Sequence, residues 1–311
     1  MSEIKNITVI GAGLMGHGIS QVFAGKGYPV TLMDLDQGLL SKALENIRSN
    51  LTVMADNNIG SHSEIDAVIS RIKITTDMAE AAADADFVVE AVSENLDLKQ
   101  KVFKELDTMC RGDAILATNT SVISITEIAS KSKNRDRIAG THFWNPPYLI
   151  PLVEVVRGDD TSEETMDKTF SLLQAVGKHP VRVNKDVPGF VANRLQHALW
   201  REAISIVEKG IADAATVDEC VKFGFGLRLP VLAPMENADM VGTDLTLAIH
   251  DYILKHLESS PEPSPLLRKL VNEGKLGFKS GQGFQEWPDE KAEASRKRLQ
   301  KYLLGAIKEG A

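Results

Sequence analysis

Two side chains of this sequence, His142 and Glu154, have the chemistry and the spacing for proton transfer. Three prolines lie between them and rule out one continuous helix across the interval. We predict a strand that ends near His142, a rigid turn, and a second strand over residues 152–155 that returns beside the first. This path places the Glu154 carboxylate against the imidazole. A carboxylate on one ring nitrogen fixes the tautomer and leaves the other nitrogen free to move a proton.

A glycine-rich segment near the start predicts a site for a dinucleotide. A short β-branched run over residues 4–10 predicts a buried strand, and a GxGxxG pattern over residues 11–16 follows it directly. A helical pattern comes next, and then a second predicted strand over residues 29–34 that ends in Asp34. This order of strand, glycines, helix, strand and acid is that of a dinucleotide-binding unit. The alternative is a glycine-rich turn in another kind of α/β protein.

Each glycine of the pattern has an expected task. Gly11 permits the tight turn, Gly13 lets the backbone approach a pyrophosphate, and Gly16 lets the helix pack on the strand. The phosphate would then meet the N-terminus of the helix. Asp34 can accept both hydroxyls of an adenosine ribose and would repel a 2′-phosphate, so NAD is favoured over NADP.

The whole pattern predicts an α/β protein with two domains. Residues 1–185 are expected to form a Rossmann-type doubly wound sheet with an inserted helical pair, and residues 186–311 an all-α domain. Further strands are predicted over residues 72–76, 86–91, 114–118 and 179–183. The inserted helices are predicted over residues 37–55 and 63–72, and later helices over residues 216–223, 236–257, 265–273 and 289–307.

Composition excludes several other classes of protein. The chain has 311 residues and a net charge of −8, which argues against nucleic acid as the main partner. No run approaches the ~18 apolar residues of a membrane span, and no signal-type run opens the sequence. Cys110 and Cys220 show neither metal-ligand spacing nor a disulfide framework, so we expect a cytoplasmic protein without a metal.

Polar residues after two predicted strands are further candidates. Glu90 lies at the end of the strand over residues 86–91, and Glu94 and Asn95 follow it, where the ligand crevice of such a sheet is expected. A solvated carboxylate in a loop is the alternative for Glu94. Asn119 and Ser121 follow the next strand and are available to a ligand or to an ordinary turn. Ser124 is explained by a helix capping box with Glu127.

Three other side chains have weaker functional readings. His17 follows the glycine loop and could line the cofactor site, but a position on the helix surface is the preferred interpretation. Arg228 and Lys279 lie in glycine-punctuated loops and could meet an anionic substrate. Surface charge is the preferred interpretation of both residues.

Taken together, six motifs occur in the order found in the 3-hydroxyacyl-CoA dehydrogenase family, which the whole chain resembles. They are Gly11-Ala12-Gly13-Leu14-Met15-Gly16, Asn119-Thr120-Ser121, His142-Phe143-Trp144-Asn145-Pro146, Leu152-Val153-Glu154, Pro188-Gly189-Phe190 with Asn193-Arg194, and Ser280-Gly281-Gln282-Gly283-Phe284.

The resemblance implies an NAD-linked oxidation of an L-3-hydroxyl to a ketone by a homodimer. It also implies that the helical domain over residues 186–311 serves substrate binding and dimerisation. It implies that His142 is the acid/base, that Glu154 orients it, and that Ser121 and Asn193 lie near the substrate hydroxyl and carbonyl. The residues expected to hold NAD are Gly11, Gly13, Leu14, Met15, Gly16, Asp34, Glu90, Glu94, Lys99, Asn119 and Asn145.

Two departures from the family pattern leave the substrate open. Pro147 and Tyr148 follow Asn145-Pro146 where an aliphatic residue is common, and the loop over residues 224–235 is longer than usual. In both features the sequence is more similar to relatives that act on small carboxylates without CoA. These relatives are the lambda-crystallin/gulonate, carnitine and pyridoxine-breakdown dehydrogenases. Arg228 could then meet the carboxylate. A non-catalytic, crystallin-like NAD-binding protein and a module of a multifunctional hydratase chain are the remaining alternatives.

Overall fold

One mostly parallel sheet dominates the computed structural model, which describes residues 4–309. Its strand order across the described residues is β3-β2-β1-β4-β5-β6-β7-β8. The strands are β1 Ile7–Ile10, β2 Val30–Met33, β3 Ile72–Thr75, β4 Phe87–Glu90, β5 Ile115–Thr118, β6 Ile138–Phe143, β7 Leu152–Val156 and β8 His179–Val183. β7 runs antiparallel to β6, and every other neighbouring pair is parallel.

The central strands are short apolar runs because both faces of the sheet are covered. Every residue of β1, β4, β5 and β6 is buried. One core cluster includes Phe23, Phe87 and Phe143, and a second includes Phe103 and Leu116. The predicted doubly wound arrangement is confirmed.

The sheet is accompanied by helices in the first part of the chain, and several of these helices begin at side-chain caps. They are α1 Leu14–Gly25, α2 Gln37–Asp56, α3 Ile65–Ser70, α4 Met78–Ala82, α5 Leu96–Met109, α6 Ile125–Ala129 and α7 Glu163–Ala175. Asp36 accepts hydrogen bonds from the first-turn N–H groups of α2, and Asn95 and Ser162 do the same for α5 and α7. α2 and α3 are the predicted inserted pair. α4 and α7 were not among the predicted helices.

The remainder of the chain is helical. Its helices are α8 Ala192–Glu208, α9 Ala214–Phe223, α10 Pro234–Val241, α11 Thr243–Ile253, α12 Pro265–Asn272 and α13 Asp289–Glu309. The prediction of one helix over residues 236–257 is wrong, because Gly242, at φ 104°, separates α10 from α11. None of the described helices is long and apolar enough to cross a membrane.

Contacts between residues divide the chain into two compact units. The first runs up to Asn193 and includes the residues from Gln300 onward, and the second is Arg194–Leu299. The predicted boundary between an NAD-binding domain and a helical domain, after residue 185, remains a prediction.

Candidate active site

The antiparallel pairing of β6 with β7 brings the predicted proton-transfer pair together. His142 and Glu154 are direct partners in the strand register, and His142 Nδ1 lies 2.8 Å from Glu154 Oε2. Their side chains are only 5% and 1% exposed. The predicted contact is confirmed, and its role in catalysis remains a prediction.

The surroundings of Glu154 hold its carboxylate ionised. Its other oxygen, Oε1, accepts hydrogen bonds from the N–H groups of Val191 at 2.9 Å and Ala192 at 3.0 Å. Burial raises the pKa of Glu154, but the hydrogen bonds from His142, Ala192 and Val191 outweigh it and leave the pKa below its usual value. These bonds are therefore present at neutral pH and are lost only as the pH falls through the lowered pKa.

An ionised carboxylate can only accept hydrogen bonds, so the proton between the pair sits on His142 Nδ1. Nε2 is left as the nitrogen that can take a proton from a ligand. Two aromatic rings flank the imidazole, with centroids 5.4 Å away for Trp144 and 5.7 Å for Phe190. These rings restrict its orientation; both residues lie in the family motifs, but neither was predicted to have a role in the site.

The turn after His142 is held by contacts on two sides. Lys178 Nζ donates hydrogen bonds to the carbonyls of Pro147 and Ile150. On the other side, a methyl group built on Gly18 of α1 would lie 2.9 Å from Pro147 Cδ, so the glycine allows this close approach. Burial, and then the charge of Lys26, lowers the pKa of Lys178 to about 8. Asn145 lies exposed at the start of this turn.

Ser121 and Asn193, predicted from different parts of the chain, lie together. Asn193 Nδ2 donates a hydrogen bond of 3.0 Å to the Ser121 carbonyl. The Ser121 N–H is bound by Glu94 Oε1 at 2.9 Å. The Ser121 main chain is therefore fixed from both sides.

The glycine loop has the geometry that its sequence predicts. Gly11 has φ 101°, and a Cβ there would lie 2.6 Å from the Ala91 carbonyl oxygen. A Cβ on Gly16 would lie 1.7 Å from the Gly11 carbonyl oxygen. A Cβ on Gly13, by contrast, would meet no atom within 4 Å. Gly13 is also the N-cap of α1 and no side chain caps it, so the first N–H groups of the helix face open space that suits a phosphate.

Asp34 is tied to this loop. Its Oδ2 accepts the Ala12 N–H at 2.8 Å, and its Oδ1 accepts the Asp36 N–H at 3.1 Å. Leu14, at 64% exposure, and the half-buried Met15 open the helix beside it. A carboxylate next to an open helix N-terminus fits the adenosine ribose and pyrophosphate of a dinucleotide.

The remaining candidates at the strand ends form a hydrogen-bonded network. Glu90 and Lys99 are 0% and 1% exposed, and Glu90 Oε1 lies 2.8 Å from Lys99 Nζ. Glu94 Oε2 lies 3.3 Å from the same ammonium group. Asn119 Oδ1 accepts the Phe143 N–H at 2.9 Å and so links β5 to the strand of His142. The protein itself satisfies Glu90 and Lys99, and their assignment to the cofactor remains a prediction.

The predictions for His17, Arg228 and Lys279 have different outcomes. The surface position expected for His17 is wrong, because the residue is 8% exposed and its Nδ1 lies 2.9 Å from the Gly13 carbonyl oxygen. The spacing of four residues from Gly13 is the signal that could have found this contact. Arg228 and Lys279 are exposed in the second unit. Among the described residues, no cluster of three or more His, Cys, Asp or Glu side chains could hold a metal.

Comparison with known protein families decides the affiliation. Residues 6–187 match the model of the 3-hydroxyacyl-CoA dehydrogenase NAD-binding domain, and residues 189–287 match that of the 3-hydroxyacyl-CoA dehydrogenase C-terminal domain. The chain belongs to the 3-hydroxyacyl-CoA dehydrogenase family. The resemblance inferred from its motifs is confirmed, and the protein is an NAD-dependent oxidoreductase of this family.

Two sequence relatives and two crystal structures illustrate the range of the family. A probable 3-hydroxybutyryl-CoA dehydrogenase of Bacillus subtilis is 40% identical over 92% of this chain and 99% of its own. The 5-formyl-3-hydroxy-2-methylpyridine 4-carboxylate 5-dehydrogenase of Mesorhizobium japonicum is 34% identical over 94% of this chain and 93% of its own. A crystal structure of an enzyme of that name, described as an NAD⁺-dependent dismutase, has a TM-score of 0.91, is 33% identical, and covers 99% of both chains. The crystal structure of (S)-3-hydroxybutyryl-CoA dehydrogenase from Ralstonia eutropha has a TM-score of 0.78 at 34% identity, over 92% of this chain and 100% of its own.

Proposed function

We propose that the enzyme oxidises a short-chain L-3-hydroxyacyl-CoA, such as 3-hydroxybutyryl-CoA, to the 3-ketoacyl-CoA. The observation that carries this proposal is the buried 2.8 Å contact between His142 Nδ1 and Glu154 Oε2, which leaves His142 Nε2 to take the hydroxyl proton. Bound NAD supplies the hydride acceptor. A positively charged imidazole forms as the proton moves, and the adjacent Glu154 carboxylate stabilises it.

Ser121 and Asn193 complete the proposed substrate site. Their mutual hydrogen bond of 3.0 Å keeps both near the end of β5. In this proposal, they bind the substrate hydroxyl and the carbonyl and so hold the reacting carbon in line for transfer. A purely NAD-binding, crystallin-like protein would not need these residues or the His142–Glu154 pair.

The proposed cofactor site extends from the glycine loop to the strand ends. The open N-terminus of α1 at Gly13 supports binding of the pyrophosphate, and Asp34 supports binding of the adenosine ribose. The remaining proposed contacts are Gly11, Leu14, Met15, Gly16, Glu90, Glu94, Lys99, Asn119 and Asn145.

A second candidate substrate is a small free hydroxy carboxylate without CoA. It is favoured by the likeness to the pyridine-carboxylate dehydrogenase, whose fold matches this chain over 99% of its length. The 3-hydroxybutyryl-CoA enzyme of R. eutropha matches over 92%. Arg228 in the loop over residues 224–235 is the proposed partner of the carboxylate.

A substrate panel separates these two proposals. The purified enzyme would be offered NADH with acetoacetyl-CoA, and NAD with gulonate, carnitine and other free 3-hydroxy acids, while NADH absorbance is followed. We expect efficient reduction of acetoacetyl-CoA and weak action on the free acids, which fits a role in fatty-acid metabolism. The reverse pattern would replace the CoA proposal with the free-acid proposal, and Arg228→Gln should then raise the KM for the acid.

Asp34 should decide the preference between the two nicotinamide cofactors. We expect Asp34→Ser to lower kcat/KM with NAD and raise it with NADP, which shifts their ratio by about 10-fold or more, because a repulsion of about 1.4 kcal/mol is removed. Steady-state kinetics with both cofactors measure this ratio. Asp36→Ser is the matched control, since serine keeps the α2 cap while one nearby charge is lost. Equal ratios in the two variants would contradict the assignment of Asp34.

We also propose that the enzyme is a homodimer built through its second unit. Across residues 194–299, only Ser205 and Ala292 are buried, which is too little core for an independent fold. Large apolar side chains are exposed there instead, including Leu227 at 72%, Val231 at 84% and Met235 at 75%. Exposure on this scale is typical of a surface that another chain covers.

The dimer predicts that stability depends on protein concentration. We expect light scattering to give twice the chain mass of 33.9 kDa, and thermal unfolding to move to lower temperature on dilution. Val231→Asp should weaken the assembly, whereas Val231→Thr, of similar size and without charge, should weaken it less. A monomer with a melting temperature independent of concentration would contradict the proposal.

The cytoplasm is the proposed location. Cys110 and Cys220 are unpaired, which is consistent with a reducing compartment. Burial raises the pKa of the Cys110 thiol to about 11, so this cysteine is unreactive.

A further inference from the structure

Glu94 gathers the main chain around Ser121. Its Oε1 accepts three hydrogen bonds, from Thr120 Oγ1 at 2.6 Å, the Ser121 N–H at 2.9 Å and the Val122 N–H at 3.2 Å. One carboxylate oxygen therefore fixes three consecutive residues of the segment that follows β5. The Glu94 side chain remains 38% exposed, so burial alone does not place it there.

The other oxygen of Glu94 contacts a buried ion pair formed by Lys99 and Glu90. Its Oε2 lies 3.3 Å from Lys99 Nζ, which lies 2.8 Å from Glu90 Oε1. Glu90 in turn accepts the Thr118 hydroxyl at 2.7 Å and the Val92 N–H at 2.7 Å. Lys99 and Glu90 are almost wholly enclosed, so neither side chain can move away without leaving a buried charge unpaired. Glu94 thus connects the C-terminal end of β4 and the start of α5 to the segment around Ser121.

The charges on this network favour the ionised form of Glu94. Burial raises its pKa, but the hydrogen bond from Thr120, the charge of Lys99 and the N–H groups of Ser121 and Val122 outweigh this effect. The pKa of Glu94 is therefore lowered, and its acceptor oxygens are available at neutral pH.

We propose that Glu94 is a positioning residue that acts through Ser121, setting the place of its hydroxyl for the substrate. The inference rests on the proposed function, in which Ser121 binds the substrate hydroxyl or carbonyl. Asn193 holds the Ser121 carbonyl from one side, and Glu94 holds the Ser121 N–H from the other. Losing the Glu94 contacts leaves the segment free to move, and a displacement of about 1 Å is enough to cost up to 100-fold in rate.

A double-mutant cycle on the full-length enzyme with NADH tests this inference. We expect Glu94→Gln to lower kcat/KM for acetoacetyl-CoA by about 10-fold, because a neutral amide must turn a donor toward Lys99 or toward the backbone N–H groups. We expect Ser121→Ala to have a similar or larger effect. The double variant should be no more than about 2-fold below Ser121→Ala, because residues that act as one unit are not additive.

Matched measurements separate the possible results. Asp97→Asn removes a nearby carboxylate, in the first turn of α5, whose side chain is 93% exposed, so the activity of this variant should stay within about 2-fold of wild type. Hydrogen exchange of residues 119–123 without cofactor should be faster in Glu94→Gln than in Asp97→Asn. Additive losses in the cycle, or unchanged exchange in Glu94→Gln, would overturn the inference while the substrate role of Ser121 stood. Full activity of Ser121→Ala would overturn both.

Discussion

Replacing His142 with glutamine is expected to abolish turnover while the enzyme keeps its affinity for NADH. Glutamine fills a similar volume and can still hydrogen-bond to Glu154, but it cannot accept a proton at neutral pH. A positioned acid/base contributes about 10²–10⁴-fold to the rate, so we expect kcat to fall by about 10³-fold or more. Stopped-flow or steady-state kinetics would measure turnover, and NADH fluorescence titration would measure binding.

His62→Gln is the control for this change. His62 is a half-exposed histidine paired with Asp56 on the surface of the inserted helices, and its loss should leave kcat unchanged. Both variants should unfold at temperatures close to that of wild type. Turnover within 10-fold of wild type in His142→Gln would remove His142 as the acid/base.

Substituting Gly16 with alanine should abolish NAD binding and lower the free energy of unfolding. The added methyl carbon would lie 1.7 Å from the Gly11 carbonyl oxygen, where no adjustment of a flexible side chain can relieve the clash. The loop must move away from α1, and overpacking of this kind costs about 1–3 kcal/mol. Calorimetric titration with NAD and thermal unfolding would measure the two effects.

Gly13→Ala and Gly25→Ala separate the effect on NAD binding from the effect on the free energy of unfolding. A Cβ on either residue would meet no protein atom within 4 Å, so neither substitution should destabilise the fold. Gly13→Ala fills the space in front of α1 and should weaken NAD binding alone, because the pyrophosphate loses its close approach to the backbone. Gly25→Ala, near the end of α1, should leave binding intact. Normal binding by Gly13→Ala would contradict the placement of the phosphate.

Local patterns were sufficient to predict much of the fold. The buried strands read as apolar runs, and the predicted capping residue Ser124 does accept the Glu127 N–H at the start of α6. The His142–Glu154 contact was predictable for a related reason. The prolines between the two residues leave few paths except a return strand.

Contacts between distant parts of the chain were not predictable in the same way. Glu94 was assigned to the cofactor because it follows a strand, yet its partners lie at Thr120–Val122, which only the pairing of β4 with β5 brings near. Lys178 and Phe190 reach the site of His142 from elements far along the chain, so no local spacing encodes them. His17 was misjudged because an amphipathic pattern does not reveal that α1 is buried on every side, with all residues from Gly16 to Ala24 enclosed.

The direct pairing of His142 with Glu154 in the strand register has a consequence for how this enzyme can diverge. Side chains alternate along a strand, so a slip of one residue between β6 and β7 would turn Glu154 away from the imidazole. An insertion inside either strand would therefore separate His142 from Glu154 and prevent proton transfer. The connection over residues 144–151 lies outside the paired positions, and it can change length and composition while the pair stays aligned. A change of substrate through this turn would therefore need no new catalytic pair, as long as Trp144 still flanks the imidazole and Lys178 still binds the turn.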